Sequence, residues 1–145
     1  MMTSIQDKTT TGGCLCGAVR YEVTGPLRDI VNCHCSMCQK LHGSFGAHTK
    51  ALKKNIKITR DDGLTFYKTS DVAERGYCKD CGSSLFWQPF DLDATGILAG
   101  SLDDASGLKT MGHIFVGEKA NFIEITDGLP QFEKSSDGAF TGDYR

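Results

Sequence analysis

The chain has 145 residues, the size of one ordinary domain, and is long enough to bury a core without covalent cross-links. Sixteen basic residues against 18 acidic ones leave a net charge of −2 without a basic stripe, which argues against nucleic-acid binding, and no apolar run is long enough to cross a bilayer. The opening residues 1–8 carry neither an apolar stretch nor a cleavage signal, so the expected setting is a reducing cytoplasm, where seven cysteines bind metal more readily than they form disulfides.

Residues 1–11 are polar and aperiodic and read as a flexible lead-in; Gly12-Gly13 opens the ordered part. Val19, Tyr21 and Val23 alternate with Arg20, Glu22 and Thr24, the pattern of a half-buried strand that Gly25-Pro26 ends. A second short strand over 29–32 delivers Cys33. Beyond Cys38, residues 39–42 have room for one helical turn before Gly43 stops it. Strands follow over 44–49 and 56–59, then Asp61-Asp62-Gly63 turns into a strand over 64–67. Further strands are predicted over 74–77, 85–87, 97–99, 113–116 and 121–125. Short strands punctuated by turns, without a long amphipathic helix, predict an all-β domain over 12–134, and the Gly- and Ser-rich stretch 135–145 reads as a frayed tail.

The cysteines sort by spacing. Cys33-His34-Cys35-Ser36-Met37-Cys38 brings three sulfurs into one small volume, which is one short of the tetrahedron that a structural zinc requires. Cys78-Lys79-Asp80-Cys81-Gly82 has the form of a zinc knuckle and supplies two ligands. Cys14-Leu15-Cys16-Gly17 supplies two more if its alternate residues face one way on an extended segment. Two zinc sites follow: a closed one on Cys14, Cys16, Cys78 and Cys81, and an open one on Cys33, Cys35 and Cys38. A zinc on three thiolates is a weak Lewis acid but a good acceptor for a fourth thiol, whose pKa it lowers, so the open site points towards a thiol substrate. The competing reading is a second structural zinc whose fourth ligand is a histidine or a remote side chain.

The four histidines are weighed singly. His34 lies between two ligands and is expected to point away from the metal. His42 follows the trio by one turn and is either a fourth ligand or a surface residue. His48 is placed to line a pocket, and His113 opens a strand in a structural role. Asp61-Asp62 and Asp103-Asp104 sit beside turns and read as solvated.

The stretches Gly13-Cys14-Leu15-Cys16-Gly17-Ala18-Val19-Arg20-Tyr21, Cys33-His34-Cys35-Ser36-Met37-Cys38-Gln39-Lys40 and Tyr77-Cys78-Lys79-Asp80-Cys81-Gly82-Ser83 resemble the glutathione-dependent formaldehyde-activating enzyme family, which includes the centromere protein V domain. His113-Ile114-Phe115-Val116, running on to Leu129-Pro130-Gln131-Phe132, extends the resemblance. It implies a β-tent of antiparallel sheets, a structural zinc on the four-cysteine set, a catalytic zinc on the trio, and formation or cleavage of S-hydroxymethylglutathione, a carbon–sulfur lyase reaction. Gln39-Lys40 and Asn121-Phe122 depart from the family pattern where substrate contacts are expected. Lys40, His48 and Arg75 are the candidates, by charge type and closeness to the ligands, for holding a substrate carboxylate. The implied partners are a small thiol and an aldehyde, with monomer and homodimer both open. The alternative class is a non-catalytic zinc module for a protein or chromatin partner, against which the compact length and missing basic tail weigh.

Overall fold

The computed structural model describes residues 8–142 and shows an all-β protein with one α-helix. Along the chain lie β1 (Thr9–Gly13), β2 (Arg20–Thr24), β3 (Ile30–Cys33), α1 (Ser36–His42), β4 (Gly46–Leu52), β5 (Ile56–Arg60) and β6 (Leu64–Lys68). They are followed by β7 (Ala73–Cys78), β8 (Ser84–Pro89), β9 (Ala94–Leu98) and β10 (Thr110–Ile114). The strands form a three-stranded sheet in the order β1-β2-β5 and a seven-stranded sheet in the order β10-β3-β4-β9-β8-β7-β6.

The core lies between the two sheets. The predicted alternation of β2 holds: Tyr21 and Val23 face inward and are almost wholly buried, with Val19 just before them. They meet Ala51, Phe86 and Ile97 from one face of the large sheet, and Tyr21 packs edge-on against Phe86 with ring centroids 5.2 Å apart. That face is committed to packing. The opposite face, which presents every second residue of the same strands, is left for the functional site.

Away from the cysteine clusters, the structure departs from the sequence-based expectations in four places. Thr9 to Thr11, placed by their polarity in a lead-in, belong to β1 and pair with β2, with Thr10 buried. Threonine is β-branched and suits a strand, although its hydroxyl hides the hydrophobic alternation. Sheet pairing is antiparallel except at one edge, where β10 runs parallel to β3. The strand expected over 121–125 is absent: the Ile123 N–H closes a turn onto the Ala120 carbonyl at 3.1 Å. In the stretch read as a frayed tail, Ser136 and Phe140 are buried. The remaining parts of the expected lead-in and tail, 1–7 and 143–145, lie outside the described residues.

Candidate metal and substrate site

The three-cysteine cluster forms where β3 runs into α1. Cys33 ends β3, Cys35 caps the helix, and Cys38 sits in its first turns, fully buried. The helix is longer than the single turn expected, because the Cys35 sulfur accepts the Cys38 N–H at 3.3 Å and so supplies an N-cap that cysteine seldom provides. Gly43, at φ 94°, ends it as predicted, its N–H donating to the Gln39 carbonyl at 2.9 Å. Sγ atoms of Cys33, Cys35 and Cys38 lie within 4.8 Å of one another, and among the described residues no histidine or carboxylate joins them. Hydrogen bonds from the Cys33 and Cys38 thiols push Cys35 down to about 2, and the same contacts hold Cys33 far above the ordinary thiol value. The cluster therefore gives up a first proton readily and the next ones reluctantly, a conflict that a bound cation relieves.

A cavity of about 490 Å³ opens beside the trio, and all three cysteines line it. Its floor is the free face of the large sheet. The register sets Arg75 opposite Trp87, Trp87 opposite Gly96 and Gly96 opposite Lys50, so these residues form one row across four strands. Gly96 supplies no side chain, which leaves room above Trp87, and the Lys50 ammonium sits 5.5 Å from the Trp87 ring centroid. His48, two residues before Lys50 on the same face, also borders the cavity. Burial, then the nearby Arg75 charge, pushes His48 down to about 3, so it is a neutral imidazole at pH 7 whose Nδ1 meets the Gly46 carbonyl at 3.1 Å.

Arg75 stands nearest the trio. Its Nη2 lies 3.7 Å from the Cys38 sulfur and 3.6 Å from the Met37 sulfur, while its Nε and Nη1 are buried with no hydrogen-bond partner among the described residues. A buried guanidinium with two idle donors calls for an anion. Of the three residues singled out for charge, His48 and Arg75 border the cavity and Lys40 does not: it is exposed and lines a separate recess with Leu41 and His42. Arg28 and Lys50, both buried at the cavity edge, carried no sequence signal because an isolated cation in a loop or a strand looks like a surface residue.

The four-cysteine set is held differently. Cys14 to Gly17 is a turn, not the extended segment expected, closed by the Gly17 N–H on the Cys14 carbonyl at 3.3 Å with Gly17 at φ 84°. The second knuckle matches it: the Gly82 N–H meets the Cys78 carbonyl at 2.7 Å, and Gly82 takes φ 79°. Sulfur separations are 3.7 Å for Cys14–Cys16 and 3.8 Å for Cys16–Cys78. A tetrahedron with metal–sulfur bonds of ~2.3 Å has edges of about 3.8 Å, so these two separations match a zinc site, and all four sulfurs lie within 4.8 Å of one another. The Ser83 hydroxyl, 3.2 Å from the Cys81 sulfur, is the main cause that lowers Cys81 to about 5. None of these four cysteines borders the large cavity.

His34 points away from the trio as expected, into a buried chain: its Nε2 meets His113 Nδ1 at 2.9 Å, and His113 Nε2 meets Asp127 Oδ2 at 2.7 Å. His42 is half-buried against His48 and takes no place among the clustered ligand atoms. The departures from the family pattern fall outside the cavity. Gln39 donates to the carbonyls of His34 and Glu118 at 3.2 and 2.6 Å, and Phe122 is exposed. The paired aspartates are surface groups as read: Asp62 pairs with Arg60, Asp103 with Arg20, and Asp104 with Ser106.

Comparison with known proteins agrees with this geometry. Residues 9–118 match the model of the family described as glutathione-dependent formaldehyde-activating enzyme. A Halomonas elongata protein, provisionally named a glutathione-dependent formaldehyde-activating enzyme, is 28% identical over 134 residues, covering 79% of each chain. A Schizosaccharomyces pombe protein, named only as an uncharacterized lyase, is 31% identical over 77 residues; the match spans 52% of this chain and about half, 55%, of that protein. A crystal structure of a Rhodobacter sphaeroides protein superposes with a TM-score of 0.56 at 26% identity, covering 69% of this chain and 97% of the other. With its two cysteine clusters in these places and three quarters of its length matched, the chain belongs to the glutathione-dependent formaldehyde-activating enzyme family.

Proposed function

We propose that the protein is a zinc-dependent carbon–sulfur lyase that forms or cleaves a thiol–aldehyde adduct of the S-hydroxymethylglutathione type. The observation that carries this reading is the contrast between the clusters: three sulfurs converge at the wall of a cavity of about 490 Å³, and four converge away from it. Cys14, Cys16, Cys78 and Cys81 would hold a structural zinc; Cys33, Cys35 and Cys38 would hold a second. Bound there, zinc would supply affinity for a substrate thiol and lower its pKa.

The surrounding residues do the rest. Cys33, Cys35 and Cys38 would hold that ion at the cavity wall. Arg75, which borders the cavity beside the Cys38 sulfur, holds a carboxylate of the thiol and sets its sulfur beside the trio. Neutral His48, kept uncharged by burial, leaves Arg75 as the cation closest to the sulfurs. In the forward direction the thiol sulfur bonds to the aldehyde carbon, the carbonyl π pair moves to oxygen, and the proton released by the thiol ends on that oxygen. Cleavage is the reverse, and neither direction needs an oxidant. In this reading the chain is a single cytoplasmic domain with small-molecule partners, and neither nucleic acid nor a membrane takes part.

Elemental analysis paired with cobalt substitution tests the proposal. Two metal ions per chain are expected, one of which exchanges and changes its absorption spectrum when glutathione is added. Two inert ions, indifferent to thiol, would favour the competing reading of a non-catalytic zinc module that binds a macromolecular partner.

A further inference from the structure

The family match ends at residue 118, yet the cavity is completed by a segment well beyond it. Residues 130–134 run beside β10: the His113 N–H donates to the Pro130 carbonyl at 2.9 Å, Phe132 N–H to His113 at 2.9 Å, and Phe115 N–H to Lys134 at 2.8 Å. The chain then turns through Asp137 and Gly138, both at positive φ (52° and 78°), with the Ala139 N–H on the Ser136 carbonyl at 3.0 Å. This turn folds Phe140 inward, 8% exposed, onto Gly112 of β10. The seat is made by the missing side chain, since a Cβ on Gly112 would stand 2.8 Å from Phe140 Cε1. Phe132 braces the ring from the side, edge-on with centroids 5.3 Å apart. Gly142 then comes to rest against the side chain of Arg28, another cavity residue.

We propose that Phe140, held by the strap 135–142, is a specificity-determining residue: its ring sets how much bulk around the sulfur a thiol substrate is allowed. The strap bridges β10 and Arg28, so it bounds the space that the trio and the sheet floor leave open. A rigid aromatic held by packing on glycine limits size and contributes no polar recognition, which leaves orientation to Arg75. The word substrate rests on the lyase reading; the position of the wall does not.

Trp87, the one tryptophan of the chain, lines the same cavity and reports on access to it without any turnover. Acrylamide quenching of Trp87 is compared in the wild type, Phe140→Ala, Phe140→Leu, and a control truncation in the other sheet, Val23→Ala. Phe140→Ala is expected to raise the quenching constant about twofold or more, Phe140→Leu by less, and Val23→Ala not at all. A folded Phe140→Ala with wild-type quenching overturns the proposal, as does an equal rise in Val23→Ala. A second arm compares kcat/KM for the formaldehyde adducts of N-acetylcysteine and of its bulkier β,β-dimethyl analogue. Phe140→Ala is expected to shift the ratio towards the bulkier thiol by about tenfold. An unshifted ratio in an active enzyme overturns the assignment of specificity to Phe140. Wild-type protein inactive on every thiol, with quenching behaving as described, counts against the lyase reading and leaves the wall in place.

Discussion

His34 Nε2 and His113 Nδ1 lie 2.9 Å apart, joining the residue between two cluster cysteines to a strand that enters the sheet 79 positions later. Asp127 fixes the direction of this contact. Its carboxylate accepts from His113 Nε2–H, leaving His113 Nδ1 to accept from His34 Nε2–H. Replacing His113 with alanine strands a buried donor on His34 and should cost about 2–3 kcal/mol in urea unfolding. Asp127→Asn, at a half-exposed position, should cost about 1 kcal/mol or less. Equal costs would show that the chain is not read from its buried end.

Arg75→Ala should separate substrates by charge. With a thiol that carries a carboxylate near the sulfur, KM should rise by about tenfold or more, while 2-mercaptoethanol, which has no carboxylate, should change little. Arg75→Lys should recover part of the loss, because it restores the charge without the planar fork. Steady-state kinetics with the two thiols give the answer directly.

The two cysteine clusters should fail in different ways. Cys16 and Cys78 are 62 residues apart, and a cross-link closing such a loop contributes about 4 kcal/mol through the unfolded chain. Cys81→Ser should therefore lower the melting temperature by roughly 10–20 °C. Cys35→Ser should melt near the wild type, retain one metal ion per chain, and lose turnover. Calorimetry with metal analysis on both variants checks the division; like behaviour in the two would refute it.

His48 should impose a pH dependence on stability. Its folded-state value of about 3 lies below the ordinary histidine value, so the unfolded chain binds the extra proton first as the solution is acidified. The stabilisation is complete above about pH 6.5 and is lost as pH falls towards 3, with a limiting slope of ~1.4 kcal/mol per pH unit. His48→Gln, which can still donate to the Gly46 carbonyl, should flatten that part of the profile. The difference in unfolding free energy between the two proteins from pH 7 to pH 4.5 is the measurement that decides.

Features that depend on local spacing were legible in the sequence. Ligand spacing in Cys33-x-Cys35-x-x-Cys38 and Cys78-x-x-Cys81 implies convergence whatever the surroundings, and Tyr21 and Val23 show the alternation of a half-buried strand. What escaped depends on partners distant in the chain. Phe140 lies among glycines and serines, and only the open seat at Gly112 makes it a core residue. β1 is written in threonine and glycine, so its strand character rests on pairing with β2. Lys50 looks like a solvated strand residue until the register places Trp87 beneath it. Lys40 carried a plausible charge at a plausible distance, but the helix turns it towards another recess.

The parallel pairing of β3 with β10 also sets an order of events during synthesis. Cys33, Cys35 and Cys38 leave the ribosome some eighty residues ahead of the strand that flanks them, and non-local pairing of this kind is slow to form. For that interval the nascent chain shows a soft, thiol-rich loop to the surrounding solution. Early capture of a metal ion would shield those sulfurs from oxidation until the last strand docks.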